Sequence, residues 1–363
     1  MKGVELSRRY YREVVGPALV GLPDLPHGAA RLGSGSDVLG LDDDVSQDHD
    51  WGLRLNLFVD AGRVGEVDEH LAEVLPESFL RLPSRFATTW DAVVRHRVLV
   101  ESPQDFAVSR LGIDASKDLS VDSWLALTGQ SVREVTAGEV FADSDGGITE
   151  IRRRLAWYPD DLWRHVVAAD WSRLAQELPL MSRAGQTGDD LGASVIAGRL
   201  VRTAMHLGFL LERVWPPYAK WLGTAFSQLP RAGSVSELLY AVTQARTWQV
   251  RQDVLSSALT ALHALQATVG LPTPSPALEP FWDRPFMVVR PQVVDALLES
   301  IADDSVRRLP TGVGSVEQWV DNVDVLVRAD RRVAATTWQS TGLVGDAGSE
   351  PRGDVDVATP TAD

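Results

Sequence analysis

The spacing of apolar residues changes near residue 150, and this change limits the possible folds more than any other feature of the chain. Before it, short apolar segments alternate with turn residues, and the alternating face of DWGLRLNLFVD consists of Leu53, Leu55, Leu57 and Val59. After it, helical spacing dominates, and one such stripe consists of Ile196, Leu200, Ala204, Leu207 and Leu211. The pattern predicts an α/β (α+β) N-terminal domain with a small mixed sheet, residues 1–150, and an all-helical domain, residues 151–335.

Turn residues divide these two parts into elements. The first 25 residues read as one amphipathic helix, AARL as a short strand that leads into GSGS, and GRVGEVDEHLAEV as a second helix. RHRVLVE, which ends before Pro103, and GEVFAD read as further strands. The proline-rich stretch 270–285 predicts a long connection, and residues 336–363 predict a disordered acidic tail.

Composition narrows the class of protein. The 363 residues contain no cysteine, which excludes disulfides and thiolate metal sites, and they carry a formal net charge of −15. An acidic chain makes nucleic acid an unexpected partner, because binding to phosphates needs clustered Lys and Arg. No apolar run reaches the length of a membrane span, and the N-terminus lacks the pattern of a secretory signal, so we expect a cytoplasmic protein without membrane partners.

The stretch GSGSDVLGLDDDVSQDHDWG, residues 33–52, carries the clearest chemistry. Gly35 allows close approach of the backbone to a ligand, and Ser36 offers a hydroxyl and an amide to phosphate oxygens. If Asp48 and Asp50 begin the following strand, they lie on one face of it, where two carboxylates repel each other unless a cation lies between them. Ligands that are all oxygen suit Mg²⁺ or Mn²⁺. The stretch therefore predicts phosphoryl or nucleotidyl transfer.

The same residues resemble those of the polymerase-β-like nucleotidyltransferases, which have a Gly-Ser turn, a loop of about ten residues and Asp-x-Asp at the start of the next strand. A closer resemblance is to the DUF4037 family, in GSGSDVLGLDDDVSQDHDWGLRLNLF, LTGQSVREVTAGEVFADSDGGITEIRRRLAWYPDDLW and YAKWLGTAF, and it extends from about residue 5 to residue 330. One position departs from the superfamily pattern. Gln47 stands between Ser46 and the first aspartate, and we interpret it as a local insertion over the phosphates.

The resemblance implies an activity and further site residues. It implies a third carboxylate that completes the metal site or accepts a proton, for which Glu101 is the candidate and Asp122 and Glu139 are alternatives. It also implies a cation from the helical part that contacts the triphosphate, for which the candidate is Lys220. The expected reaction is Mg²⁺-dependent transfer of a nucleoside monophosphate from a triphosphate, ATP, to a hydroxyl group of a small molecule.

Three other functions are compatible with the sequence. One is a catalytically inactive nucleotide sensor or interaction protein of the same fold, the second is a transferase that modifies another protein, and the third is RNA end modification, which the net charge disfavours. Outside the site, His206 lies in an apolar helical stripe and predicts a hydrogen-bonded core histidine. Trp157, Tyr158, Trp163 and Trp171 predict packing between helices.

Overall fold

A mixed sheet near the N-terminus and a set of helices beyond it make up the protein. The structure, a computed structural model, describes residues 1–43, 45, 51–89 and 91–339. The strands in these ranges are β1 Gly28–Arg31, β2 Arg54–Phe58, β3 Ser78–Phe79, β4 Leu82–Pro83, β5 Arg85–Thr88, β6 Asp91–Glu101, β7 Glu139–Asp143, β8 Leu278–Pro280 and β9 Met287–Val289. The helices are α1 Gly3–Tyr10, α2 Gly16–Ala18, α3 Val64–Val74, α4 Pro103–Leu111, α5 Val121–Leu125, α6 Gly129–Thr136, α7 Gly147–Arg154, α8 Asp160–Gln186, α9 Asp190–Glu212, α10 Leu222–Ser227, α11 Ser236–Gln244, α12 Trp248–Thr268, α13 Pro291–Glu299, α14 Asp304–Arg307, α15 Val316–Trp319, α16 Val323–Leu326 and α17 Ala329–Thr336.

The main sheet has the strand order β5-β6-β2-β1-β7. The pair β2 and β6 is parallel, and the other neighbours are antiparallel, so the predicted mixed sheet is confirmed. β1 and β2 run in opposite directions, with Ala30 opposite Asn56. The end of β1 and the start of β2 therefore lie at the same end of the sheet. This register brings the segment after Arg31 close to the segment before Arg54.

The central strand β2 is buried on both faces, which the alternating pattern did not predict. Leu55 and Leu57 pack with the N-terminal helix and α3 on one face, in a cluster that includes Leu6 and Leu71. On the other face, Phe58 packs against Phe106 of α4, with ring centroids 5.3 Å apart. The prediction of a strand with a single buried side was therefore wrong, because α4 covers the face that carries the more polar residues.

The first helix of the sequence analysis is confirmed as one continuous helical segment. It begins with α1, passes through a π-helical turn at Tyr11–Val15, and continues through α2 to a 3₁₀ turn at Leu19–Gly21. Its apolar side, which includes the fully buried Tyr10, packs against the sheet. The segment thus forms one of the two layers that cover β2.

Helices α8, α9 and α12 form the centre of the second part of the chain. Helix α9 is long and apolar enough to cross a membrane by length and composition, but more than half of its most apolar window is buried inside the protein, as in a core helix. The larger hydrophobic cluster includes Ala30 and Phe58 from the sheet as well as Leu207 and Leu259 from the helices. The core is therefore continuous across the predicted boundary at residue 150, and the division into two domains stays a prediction.

Two segments differ from their expected form. The proline-rich connection contains a short hairpin, in which β8 pairs with β9, so the helical part is not entirely helical. Residues 336–339, at the start of the predicted tail, end α17 and form a 3₁₀ turn, and Gln339 is buried. Residues 340–363 lie outside the described residues.

Candidate functional site

The segment that follows β1 forms a tight turn, which we call the Gly-Ser turn and define as residues 33–36. Gly33 and Gly35 both have positive φ, +87° and +141°, a backbone conformation that glycine adopts without steric cost. A Cβ on Gly35 would lie 2.2 Å from an oxygen of Asp37 and 2.7 Å from Arg31, so no other residue fits there without a rearrangement. The predicted turn is confirmed, and its conformation explains the glycine.

A buried ion pair holds the Gly-Ser turn in place. Arg31 Nε lies 2.7 Å from Asp37 Oδ2 and Arg31 Nη2 lies 2.9 Å from Asp37 Oδ1, so the guanidinium binds the carboxylate with two bonds. The same guanidinium donates to the carbonyl oxygens of Leu32 and Ser34 at 2.6 and 3.0 Å. Asp37 was not among the predicted site residues, although its spacing from Arg31 across a glycine turn permits this pair.

The amides of the turn are available to a ligand. Within the described part of the chain, no protein group accepts a hydrogen bond from the amides of Gly35 or Ser36, whereas the amide of Gly33 donates to Glu134 O at 2.7 Å. Gly35 is exposed and Ser36 is half-buried. Adjacent amides without protein acceptors at a glycine turn are suited to an anion such as phosphate.

Ser34 and Gly35 form part of the wall of a cavity of about 490 Å³, which we call the central cavity. Its opposite walls come from α6, α8, α9, the segment 216–222 and the segment 317–332. A volume of this size is typical of sites for small molecules. The cavity therefore lies between the Gly-Ser turn and the helical part of the protein.

Arg110 of α4 lies at the end of the cavity that the turn forms. Its guanidinium is 3.6 Å from the position of a Cβ on Gly33 and 3.7 Å from the Glu134 carboxylate. Its Nε is buried without a hydrogen-bond partner in the described part of the protein. This arginine was not predicted from the sequence, because nothing in the local pattern of α4 distinguishes it from a surface cation.

A charged cluster lies at the other end of the cavity, between α8, α9 and α15. His206 Nδ1 lies 2.6 Å from Asp170 Oδ2, and Gln318 Nε2 donates to Asp170 Oδ1 at 2.8 Å. Glu317 accepts a bond from the amide of Gly129 at 2.9 Å. Burial lowers the pKa of His206, but the charge of Asp170, the hydrogen bond that the imidazole donates to Asp170 and the charge of Glu317 outweigh this effect and raise the pKa to about 10.

The hydrogen-bonded core histidine predicted at position 206 is confirmed, with Asp170 as its partner. The cluster that it belongs to was not predicted. The sequence does carry a signal for it. Asp170 and His206 are each an isolated polar residue in an apolar helical stripe, and they lie in two consecutive helices. Such residues need a polar partner when they are buried.

Comparison with known proteins identifies the segment that builds most of this cavity. Residues 124–222 match the family described as Domain of unknown function (DUF4037). The predicted resemblance to DUF4037 is confirmed over this segment. The match contains Asp170, His206 and the proline pair Pro216 and Pro217, and it covers about a quarter of the chain. The predicted resemblance over residues 5–330 is therefore matched in its middle part.

No curated protein matches the chain. Among solved structures, the chain is similar to a nucleotidyltransferase-like protein from Exiguobacterium sibiricum 255-15, with 14% sequence identity and a TM-score of 0.31, over 73% of this chain and 74% of that chain.

The predicted metal ligands Asp48 and Asp50 lie outside the described residues, as does His49. The described chain resumes at Trp51 and enters β2 at the end of the sheet where the Gly-Ser turn lies. Among the described residues there is no group of three or more His, Asp or Glu side chains that could hold a metal ion. A metal site with three such ligands would therefore need residues outside the described ranges, where the predicted ligands Asp48 and Asp50 lie.

The backbone of Glu101 lies at the other end of the sheet, next to the last residue of β2. It is opposite Phe58 in the parallel pair of β6 and β2, four residues beyond the pairing of Arg97 with Arg54, which is about 13 Å along the strands. Burial raises the pKa of Glu101, while the charge of Arg110 and a hydrogen bond from Asn56 oppose this effect. The backbone register thus separates Glu101 from the entry of β2. Its side chain, however, is hydrogen-bonded to Asn56, whose Oδ1 accepts at 2.9 Å from the amide of Leu32, directly before the Gly-Ser turn.

The two alternatives to Glu101 differ in position. Glu139 is opposite Arg31, at the end of the sheet where the Gly-Ser turn lies. Arg8 Nε donates to its carboxylate at 2.7 Å, and this hydrogen bond lowers the pKa of Glu139. Asp122, in the first turn of α5, lines a separate pocket with Asp160 and Asp303.

Lys220 lies in a 3₁₀ turn at Ala219–Trp221, directly before α10. Its side chain is exposed, and its Nζ lies 4.9 Å from the centroid of the Trp221 ring. The neighbouring residues Tyr218, Ala219 and Leu222 line the central cavity in the DUF4037 segment. Lys220 is thus at the rim of the cavity, and Arg110 lies closer to the Gly-Ser turn.

Proposed function

We propose that this protein is a cytoplasmic, Mg²⁺-dependent nucleotidyltransferase that moves a nucleoside monophosphate from ATP to a hydroxyl group of a small molecule. The observation that carries the proposal is the turn at Gly35 and Ser36, whose amides have no hydrogen-bond acceptor among the described residues. Gly35 and Arg110 both line a cavity that can hold a small molecule. Amides and a guanidinium bind phosphate oxygens. Asp48 and Asp50 precede β2 in the chain, and β2 begins at the end of the sheet where the Gly-Ser turn lies.

In this proposal, the turn holds the triphosphate and the helical wall holds the acceptor. Gly35 and Ser36 donate backbone hydrogen bonds to phosphate oxygens, and Arg110 neutralises part of their charge. Lys220, at the rim, contacts the triphosphate when the side chain turns away from Trp221. Asp48 and Asp50 would hold Mg²⁺, or Mn²⁺, and the ion would supply positive charge to the phosphates and the departing pyrophosphate. Carboxylate oxygens are the ligands that these ions prefer.

The experiment has two readouts. Calorimetry with ATP and Mn²⁺ measures binding, and pyrophosphate release in the presence of a low-molecular-weight bacterial extract measures transfer. We expect binding in the natural protein, and a loss of at least a hundredfold in pyrophosphate release after Asp48→Asn, since a metal ligand is removed. The exposed Asp283→Asn variant serves as the control and should behave as the natural protein does. Absence of ATP binding in the natural protein would refute the proposal.

A second candidate function is a nucleotide-binding protein without turnover. Two observations support it: the backbone of Glu101 pairs with Phe58, at the end of β2 away from its entry, and Glu139 is bound to Arg8. Binding of ATP without release of pyrophosphate under any condition would support this candidate. Label from α-³²P-ATP on a polypeptide, instead of a small molecule, would support a protein-modifying transferase.

A further inference from the structure

The inner end of the central cavity contains a built polar site that the proposed phosphate contacts do not use. Asp170 is 1% exposed and His206 is 9% exposed, and their side chains join α8 to α9 at 2.6 Å. Both oxygens of Asp170 are engaged, one by His206 and one by Gln318. The orientation of the imidazole ring is therefore determined by its Nδ1 partner.

The other ring nitrogen of His206 has no hydrogen-bond partner among the described residues. His206 Nε2 is buried and has no hydrogen bond in the described part of the protein, and its residue lines the cavity. The nearest carboxylate oxygen, Glu317 Oε1, is 3.7 Å away, which is too long for a hydrogen bond. A ligand oxygen beside both atoms could accept from Nε2 and donate to Glu317, and a hydroxyl group has both capacities.

The charges that line the cavity nearly balance. The acids are Glu134, Asp170, Glu317 and Asp321, and the cations are Arg110, Arg173, Arg202, Arg332 and His206, whose raised pKa keeps the imidazole protonated at neutral pH. Part of this charge is already paired within the protein, since His206 lies 2.6 Å from Asp170 and Arg110 lies 3.7 Å from Glu134. A nearly balanced set of charges favours a neutral ligand with several hydroxyl groups over a polyanion or a polycation.

We propose that the inner end of the central cavity is the acceptor subsite, in which a hydroxyl group of a neutral polyhydroxyl small molecule lies between His206 Nε2 and the Glu317 carboxylate. The role of this compound as the acceptor rests on the proposed nucleotidyl transfer, whereas its binding at this site does not. The DUF4037 segment would then contribute the acceptor wall, and the Gly-Ser turn the triphosphate wall.

The test uses the full chain and a defined probe. Protein labelled with ¹⁵N in histidine is titrated with myo-inositol, as a neutral polyol, and separately with citrate and spermidine. We expect inositol to shift the His206 ring resonances and to bind more tightly than either charged compound. No shift with inositol, or tighter binding of citrate or spermidine, would overturn the proposal.

Variants assign the contacts. Glu317→Gln should weaken inositol binding about tenfold or more, because a charge-assisted hydrogen bond is lost, while the exposed Glu299→Gln should leave it unchanged. His206→Gln keeps an N–H donor near the position of Nε2 and should bind more tightly than His206→Phe. Unchanged affinity in Glu317→Gln, with a normal unfolding temperature, would contradict the assignment even if the histidine variants fail to fold.

Binding of ATP with Mn²⁺ is measured on the same samples. If ATP does not bind but inositol still shifts His206, the proposed function fails and the hydroxyl site stands. If ATP binds and inositol does not, the hydroxyl site fails and the proposed function is unaffected.

Discussion

At the scale of single residues, the conformation of the Gly-Ser turn depends on one glycine and one ion pair. Gly35 leaves the space in which Arg31 and Asp37 meet, and these two side chains are buried, with 3% and 10% of their surface exposed. A buried ion pair adds little to the stability of the folded state when compared with apolar residues of similar size. If the two side chains are moved apart, however, each is left as a buried charge without compensation. The turn is therefore sensitive to changes that only displace the pair.

Gly35→Ala should destabilise the protein by about 3 kcal/mol or more, since the new Cβ overlaps Asp37 and Arg31 and the backbone has a positive φ. Urea denaturation measures this free energy of unfolding, and calorimetry should show weaker ATP binding.

Gly40→Ala is the matched control, because Gly40 also has a positive φ, +72°, but open space around the position of a Cβ. It should cost only about 1–2 kcal/mol. Equal losses in the two variants would show that the ion pair does not determine the conformation of the turn.

At the scale of elements, α8 and α9 are joined by polar contacts within their apolar interface. In addition to the Asp170–His206 pair, Trp163 Nε1 donates to Leu210 O at 2.8 Å. Each of these contacts satisfies a polar atom that the packing of the two helices removes from water. They determine how the helices align, whereas the apolar stripes favour association in any alignment.

The stability of the protein should depend on pH through His206. Its pKa of about 10 in the folded state lies above the ordinary value of 6.5, so protonation favours folding. This contribution is complete below about pH 6.5 and is lost as the pH rises through 10. We expect the unfolding temperature of the natural protein to decrease over this range, measured by scanning calorimetry.

His206→Gln should show a smaller decrease than the natural protein between pH 6.5 and 10, because glutamine does not titrate. Tyr10, whose pKa burial raises to about 12, stays neutral over this range and does not add to the effect. An identical decrease in both proteins would show that other groups cause it.

At the scale of the whole molecule, Arg332 joins the C-terminal helices to the N-terminal half of the chain. Its guanidinium is 1% exposed and donates to the carbonyl oxygens of Ala126, Leu326 and Leu111 at 3.0, 2.8 and 3.0 Å. Burial lowers the pKa of this arginine, and nearby acids, first Glu134, oppose the effect. Because the helices around α17 also line the central cavity, their attachment affects the site.

Arg332→Met should destabilise the protein by about 3 kcal/mol, since the buried bonds to the carbonyl oxygens of Ala126 and Leu111 and the part-buried bonds to those of Leu326 and Arg110 are lost. Arg331→Met is the control, because Arg331 is exposed and contacts one carbonyl oxygen, that of Asp324. Urea denaturation compares the two variants, and limited proteolysis should cut the Arg332→Met protein earlier near residues 320–339. Equal stability of the two variants would contradict this role.

Several features could be predicted from the sequence because they depend on near neighbours. The N-terminal helix, the strand that contains Leu55 and Leu57, the Gly-Ser turn and helix α9 follow from apolar spacing and glycine positions. Burial of Asn56 and Phe58 on the second face of β2 could not be predicted in this way, because it depends on where α4 packs.

The sequence by itself determined the order of the elements, the DUF4037 resemblance and the presence of a turn suited to phosphate. Only the tertiary structure decided which side chains meet: it placed Arg110 beside the turn, Glu101 against Asn56, and Gln318 against Asp170, which is 148 residues away along the chain. Local conformation depends on adjacent residues, whereas a site depends on strand register and helix packing, which no single stretch of sequence specifies.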